Sequence, residues 1–132
     1  PLRLLCYPMA IKYFPAMDIE QHAKEIAQIS GISRDFSRIH FVRSRGSQSR
    51  RTLARCHTTP RIVQHALDVK AHYIIEVISE HFDKLGEAER TKTIIHELLH
   101  IPKGMKGGFR HHDYVCRRNI EQIYRSYVNS RN

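Results

Sequence analysis

Apolar positions divide the chain into segments of different period. Leu2, Leu4 and Leu5, then Ile11, Tyr13 and Phe14, are interrupted by Pro1, Pro8 and Pro15. Proline at that density excludes a long helix, and the apolar content favours an extended segment packed on the domain. From Asp18 the period changes to helical, with Ile19, Ala23, Ile26 and Ala27 on one face and Gly31 as a stop. Asp18 is expected to cap that helix and His22 to lie on the surface. Beyond Arg38 the pattern alternates, Ile39 and Phe41 against His40 and Val42, which predicts a strand to about Ser44. Thr52 to His57 predicts a second strand, and the intervening RGSQSR suggests that the two form a hairpin. Pro60 opens a short helical or irregular piece, RIVQHALDV. Residues 72–79 are almost continuously apolar, as in a central, doubly covered strand. The stretch TKTIIHELLHI then reads as a buried helix, preceded by Gly86, Glu87 and Glu89 and stopped by Pro102. A Gly-rich connection, KGMKGGFR, leads to a last helix whose stripe is His112, Cys116, Ile120, Ile123 and Tyr127.

These elements make an α+β domain with a small sheet of about three strands. A length of 132 residues with 41% hydrophobic content supports one core, so residues 1–132 are read as a single domain. The chain contains no 18-residue apolar run and no visible signal peptide, and Cys6, Cys56 and Cys116 are sparse and unpaired in spacing. A cytoplasmic location with reduced thiols is the expectation, each cysteine serving as a small core residue.

Charge changes the picture. The net charge is +9, and Arg38, Arg43, Arg45, Arg50, Arg51, Arg55 and Arg61 fall in a stretch without Asp or Glu. Guanidinium groups suit phosphates and carboxylates, so Arg43, Arg45, Arg50, Arg51 and Arg55 are candidates for nucleic-acid contact.

Candidate chemistry centres on His96, Glu97 and His100. Two imidazoles four residues apart share a helix face and can reach one metal ion, and Glu97 is placed to take a proton from a water as general base. Two histidines and a glutamate on a buried helix are costly without such a role. A catalytic zinc site needs a third protein ligand, and His111, His112 and Asp113 are the candidates. His112 lies on the inward stripe of the last helix and is preferred, with His111 as the alternative. Glu76, Glu80 and Asp83 could orient the imidazoles, although ordinary salt bridges are the commoner role for such acids. Tyr73, Arg110 and Tyr114 are candidate oxyanion donors. The competing function is a basic nucleic-acid-binding module with a structural zinc, for which Cys116 is the one plausible fourth ligand.

The run IIHELLHIPKGMKGGFRHHDYV, with the preceding YIIEVISEHFDKL and the earlier RSRGS, resembles a small family of predicted archaeal metallopeptidases of the zincin class. The resemblance covers about Arg38 to Tyr127. The chain is also similar to SprT-like proteases, in which H-E-x-x-H is followed by a third histidine at the start of the next helix. These similarities imply a minimal zincin architecture, with the H-E-x-x-H helix and the C-terminal helix on one face of the sheet. They imply His96, His100 and His112 as ligands of Zn2+ and Glu97 as catalytic acid/base. They also imply peptidase activity, and, for the SprT-like comparison, action on DNA-bound proteins.

Overall fold

The structure, a computed structural model, describes residues 10–131. The expectation of an extended, packed segment around Leu2, Leu4 and Leu5, and that for Cys6, lie outside those residues. Its second half is described: Lys12–Pro15 forms β1, an edge strand antiparallel to β2 (Ile39–Arg45), with Lys12 opposite Arg45 and Pro15 opposite Val42. An edge tolerates Pro15, whose nitrogen has no hydrogen to give a ladder.

Helix α1, Met17–Ser30, buries Ile19, Ala23, Ile26 and Ala27, the predicted face. Gly31 closes it in the left-handed region at φ 74°, a conformation that glycine adopts without a Cβ penalty. Asp18 does not cap it. The cap position is Ala16, with no side-chain bond, and Asp18 sits in the first turn with both carboxylate oxygens on Arg43, at 2.6 and 2.9 Å. A bidentate guanidinium competes successfully for the carboxylate, and an acid in the first turn is favourable for the helix dipole in any case. His22 is half-buried rather than on the surface, its Nε2 3.2 Å from Thr91 Oγ1, and burial lowers its pKa.

The sheet has four strands in the order β1-β2-β4-β3, where β3 is Ala54–Thr58 and β4 is Tyr73–Ile78. β2 and β3 therefore form no hairpin. β4 lies between them, parallel to β2 and antiparallel to β3. The reason lies in composition: Tyr73, Ile75, Val77 and Ile78 are at most 1% exposed, and only an interior strand buries such a run. The long 46–53 connection carries none of the two-residue turn chemistry that would force β2 and β3 together.

The remaining helices are α2 (Arg61–Leu67), a single turn α3 (Ser79–Phe82), α4 (Glu87–His100) and α5 (Arg117–Arg131). α1 packs on β2 and α4 on β3, while α1, α4 and α5 pack on one another. One hydrophobic cluster results, running from Ile39, Phe41 and Ile75 on the sheet through Ile26, Ile95 and Leu98 to Tyr127 on α5. Each large aliphatic side chain in it contributes about 1.5–3 kcal/mol relative to exposure. Among the described residues, no helix is long and apolar enough to cross a membrane.

Arg43 also holds Asp83, through Nε at 3.1 Å and Nη2 at 2.9 Å, and so ties α1, β2 and the end of α3 together. Hydrogen bonds from Arg43 keep Asp18 below the usual carboxylate range. At Asp83 burial works against the charge, but bonds from Arg43 and Ser79 outweigh it. Carboxyls lowered on folding stabilise the protein above their unfolded pKa of about 3.9, and that contribution is lost as pH falls through the folded values. Arg43→Met is therefore expected to cost about 1 kcal/mol near neutrality. In denaturant melts the gap from wild type should close as pH falls through the lowered folded-state values of these carboxyls. A gap independent of pH would assign the loss to packing of the arginine stem.

Candidate metal centre

The chemistry of α4 begins with its boundaries. Glu87 and Glu89 occupy its first turn, and Ile94, Ile95, Leu98 and Leu99 bury its inner face. Ile101 precedes Pro102, whose ring disfavours helical conformation in the residue before it, and Ile101 is extended at φ −85° and ψ 115°. The helix thus stops just after His100. The His100 carbonyl, left without a helical partner, accepts from Arg110 N at 2.8 Å, which folds the Gly-rich connection back along α4.

That return brings His112 to the helix. His96, His100 and His112 each offer a ring nitrogen, and the three nitrogens lie within 4.8 Å of one another. His111 and Asp113, both exposed, stand outside this cluster, as does Cys116. His112 reaches it by a different route from the one expected. α5 begins only at Arg117, so His112 sits in a turn, exposed, rather than on an inward helical stripe. Val115, buried at 1%, anchors that turn in its place.

The His100 ring is oriented by backbone. Its Nδ1 lies 2.6 Å from the Arg110 carbonyl, which can only accept, so Nδ1 carries the proton and the Nε2 lone pair faces the cluster. Nε2 of His100 and Nε2 of His96 are 3.1 Å apart. Two nitrogens bound tetrahedrally to zinc at 2.0–2.1 Å stand about 3.3 Å apart, so the pair is spaced as one ion requires. The ring planes of the three stand at 65°, 50° and 86° to one another, with centroids 4.9, 5.6 and 5.1 Å apart. Burial and the neighbouring charges of His100 and His112 lower the pKa of His96, which favours the neutral, ligating form. The donor set fits a zinc-like ion with a position left open.

Glu97 is 6% exposed, and its Oε2 has no hydrogen-bond partner among the described residues. Burial pushes its carboxyl up to about 7. An orphaned carboxylate with that pKa beside three imidazoles is arranged to exchange a proton near neutral pH. Two recesses of about 340 Å³ each meet at His96 and Glu97. One runs beside Leu53, Thr93 and Ile120, the other beside Cys56, Phe109 and His112, and Ala54 of the edge strand β3 lines both.

The acids considered for orienting the imidazoles are engaged elsewhere. Glu76 pairs with His57 at 2.8 Å, Glu80 accepts from Gly46 N at 2.7 Å, and Asp83 holds Arg43. Among the oxyanion candidates, the Tyr73 hydroxyl is bound to the backbone of Gly107 and Gly108, and the Arg110 guanidinium stacks 3.4 Å from the Tyr114 ring centre. Cys56 was unforeseen at the site. Burial, then the nearby Glu97 charge, pushes its thiol up to about 12, so it stays protonated. Alternation along β3 puts Ala54 and Cys56 on one face, but nothing in the sequence pairs that face with α4.

A small sheet backed by a helix bearing H-E-x-x-H, with a third histidine returned from the following loop, defines a metallopeptidase-like domain. The chain belongs to the family described as "Putative phage metallopeptidase", whose model matches residues 11–130. No curated protein and no solved structure gave a match.

Proposed function

We propose that the protein is a zinc-dependent peptidase in which His96, His100 and His112 hold the ion and Glu97 is the general base. The observation that carries this reading is the buried Glu97 carboxyl, its Oε2 without a hydrogen-bond partner among the described residues, beside the cluster of His96, His100 and His112. When bound, the ion supplies Lewis-acid activation of a water and of the scissile carbonyl. Glu97 accepts the water's proton and passes it to the departing amine nitrogen. The outer edge of β3, unpaired among the described residues, is suited to hold an extended substrate by backbone hydrogen bonds across both recesses. The test is cleavage of an unfolded protein by the zinc-loaded chain. Activity should stop with a chelator and in Glu97→Gln, and cleavage surviving both would remove the assignment. The competing structural-zinc module is weakened because Cys116 lies outside the cluster.

A second surface has its own support. Arg43 is spent on Asp18 and Asp83, and Arg38 on Asp35 and the carbonyls of Ala71 and Met105, which removes both from the basic set. Arg45, Arg50, Arg51 and Arg55 are exposed and carry no carboxylate partner among the described residues. Binding of single- or double-stranded DNA there should weaken steeply with salt through counterion release. Replacing Arg45, Arg50 and Arg51 by alanine should flatten the log–log salt dependence by roughly one unit for each phosphate that is no longer neutralised. An unchanged slope in the triple variant, or no binding at low salt, would leave a merely solvated basic face.

A further inference from the structure

The connection between α4 and α5 carries two parts of the site, the Arg110 carbonyl on His100 and the His112 ring, yet it has no regular secondary structure before Arg117. Something must fix it. Tyr73, the first residue of the central strand β4, is fully buried, and its hydroxyl reaches the connection. The phenol oxygen accepts from Gly107 N at 3.0 Å and donates to Gly108 O at 2.8 Å, so both its roles are used on adjacent residues of one loop. The edge of the Phe109 ring packs on the Tyr73 ring, with centroids 6.0 Å apart and planes at 76°. Gly107 has φ 111°, a conformation that favours glycine, and it lies against α2, where a Cβ would come 2.5 Å from Gln64 Nε2. Two residues beyond the clamp comes Arg110, bonded at both backbone groups to His100, and two further on comes His112.

We infer that Tyr73 is a positioning residue for the metal site: its hydroxyl locks Gly107 and Gly108 to the sheet and so fixes the Arg110 carbonyl and His112 relative to His96 and His100. This rests on the triad being a metal site. It adds that affinity for the ion depends on a phenol whose hydroxyl bonds to the loop and to no ligand.

The experiment titrates cobalt(II), a spectroscopic stand-in for zinc, into wild type, Tyr73→Phe, Phe109→Leu and Tyr127→Phe. It reads the visible absorption of the bound ion and its affinity against a chromophoric chelator, and melts the metal-free proteins in parallel. Tyr127→Phe is the matched control, since it strips a hydroxyl from an equally buried ring on α5. Tyr73→Phe should lose roughly 10- to 100-fold in cobalt affinity, the range for partners that orient ligands, with a weakened tetrahedral absorption band. Phe109→Leu, at a half-buried position that leaves the core intact, should lose less in the same direction, and Tyr127→Phe should match wild type. Full affinity in Tyr73→Phe, or an equal loss in Tyr127→Phe, overturns the role of Tyr73 and leaves the metal site standing. A wild type that binds no cobalt overturns the metal site itself, and this inference with it.

Discussion

Glu97→Gln is expected to cut peptide-bond turnover by roughly 10² to 10⁴ while fold and metal content stay at the wild-type level. The amide keeps the shape of the carboxylate but cannot take a proton from water. Because Glu97 is buried and its Oε2 lacks a partner, replacing it with a neutral group removes a desolvated charge rather than a salt bridge. The variant should therefore melt no lower than wild type, which separates loss of chemistry from loss of structure. Single-turnover cleavage of an unfolded substrate, with zinc quantified in the same samples, makes the measurement. Equal turnover in the two proteins would assign the base elsewhere.

His112→Ala is expected to abolish tight zinc binding, and His111→Ala to leave it within a few-fold of wild type. Loss of a direct ligand should exceed the roughly 10- to 100-fold that removing an orienting partner costs. The readout can be thermal: an ion at about 1,000 times its Kd stabilises the folded state by about 4 kcal/mol. Wild type and His111→Ala should show that gain on adding zinc, and His112→Ala should show almost none. Equal loss in both variants would break the assignment of the third ligand, and full gain in His112→Ala would transfer the role to His111 or Asp113.

The pair on α4 was legible because helical geometry is local: a spacing of four on a helix between Gly86 and Pro102 leaves His96 and His100 few other arrangements. The choice of His112 over His111 rested on a helical stripe that does not exist at that position, and the structure reaches the same residue through a turn anchored by Val115. β4 was readable as the central strand from its composition, but its neighbours were not. Strand pairing is a long-range property, and the apolar faces of β2 and β3 are satisfied equally by pairing with each other or with β4. Arg43 looked like a free cation because Asp18 and Asp83 lie far from it in sequence. The Arg110 carbonyl was invisible for a deeper reason, since every residue has one.

The strand order bears on how the chain is made. Among the described residues β3 has β4 as its sole partner in the sheet, and β4 is encoded after it. During synthesis residues 54–58 therefore precede the strand they pair with, and their ladder requires residues 73–78. The outer edge of β3, unpaired among the described residues, presents backbone N–H and C=O groups that are free to join a further strand.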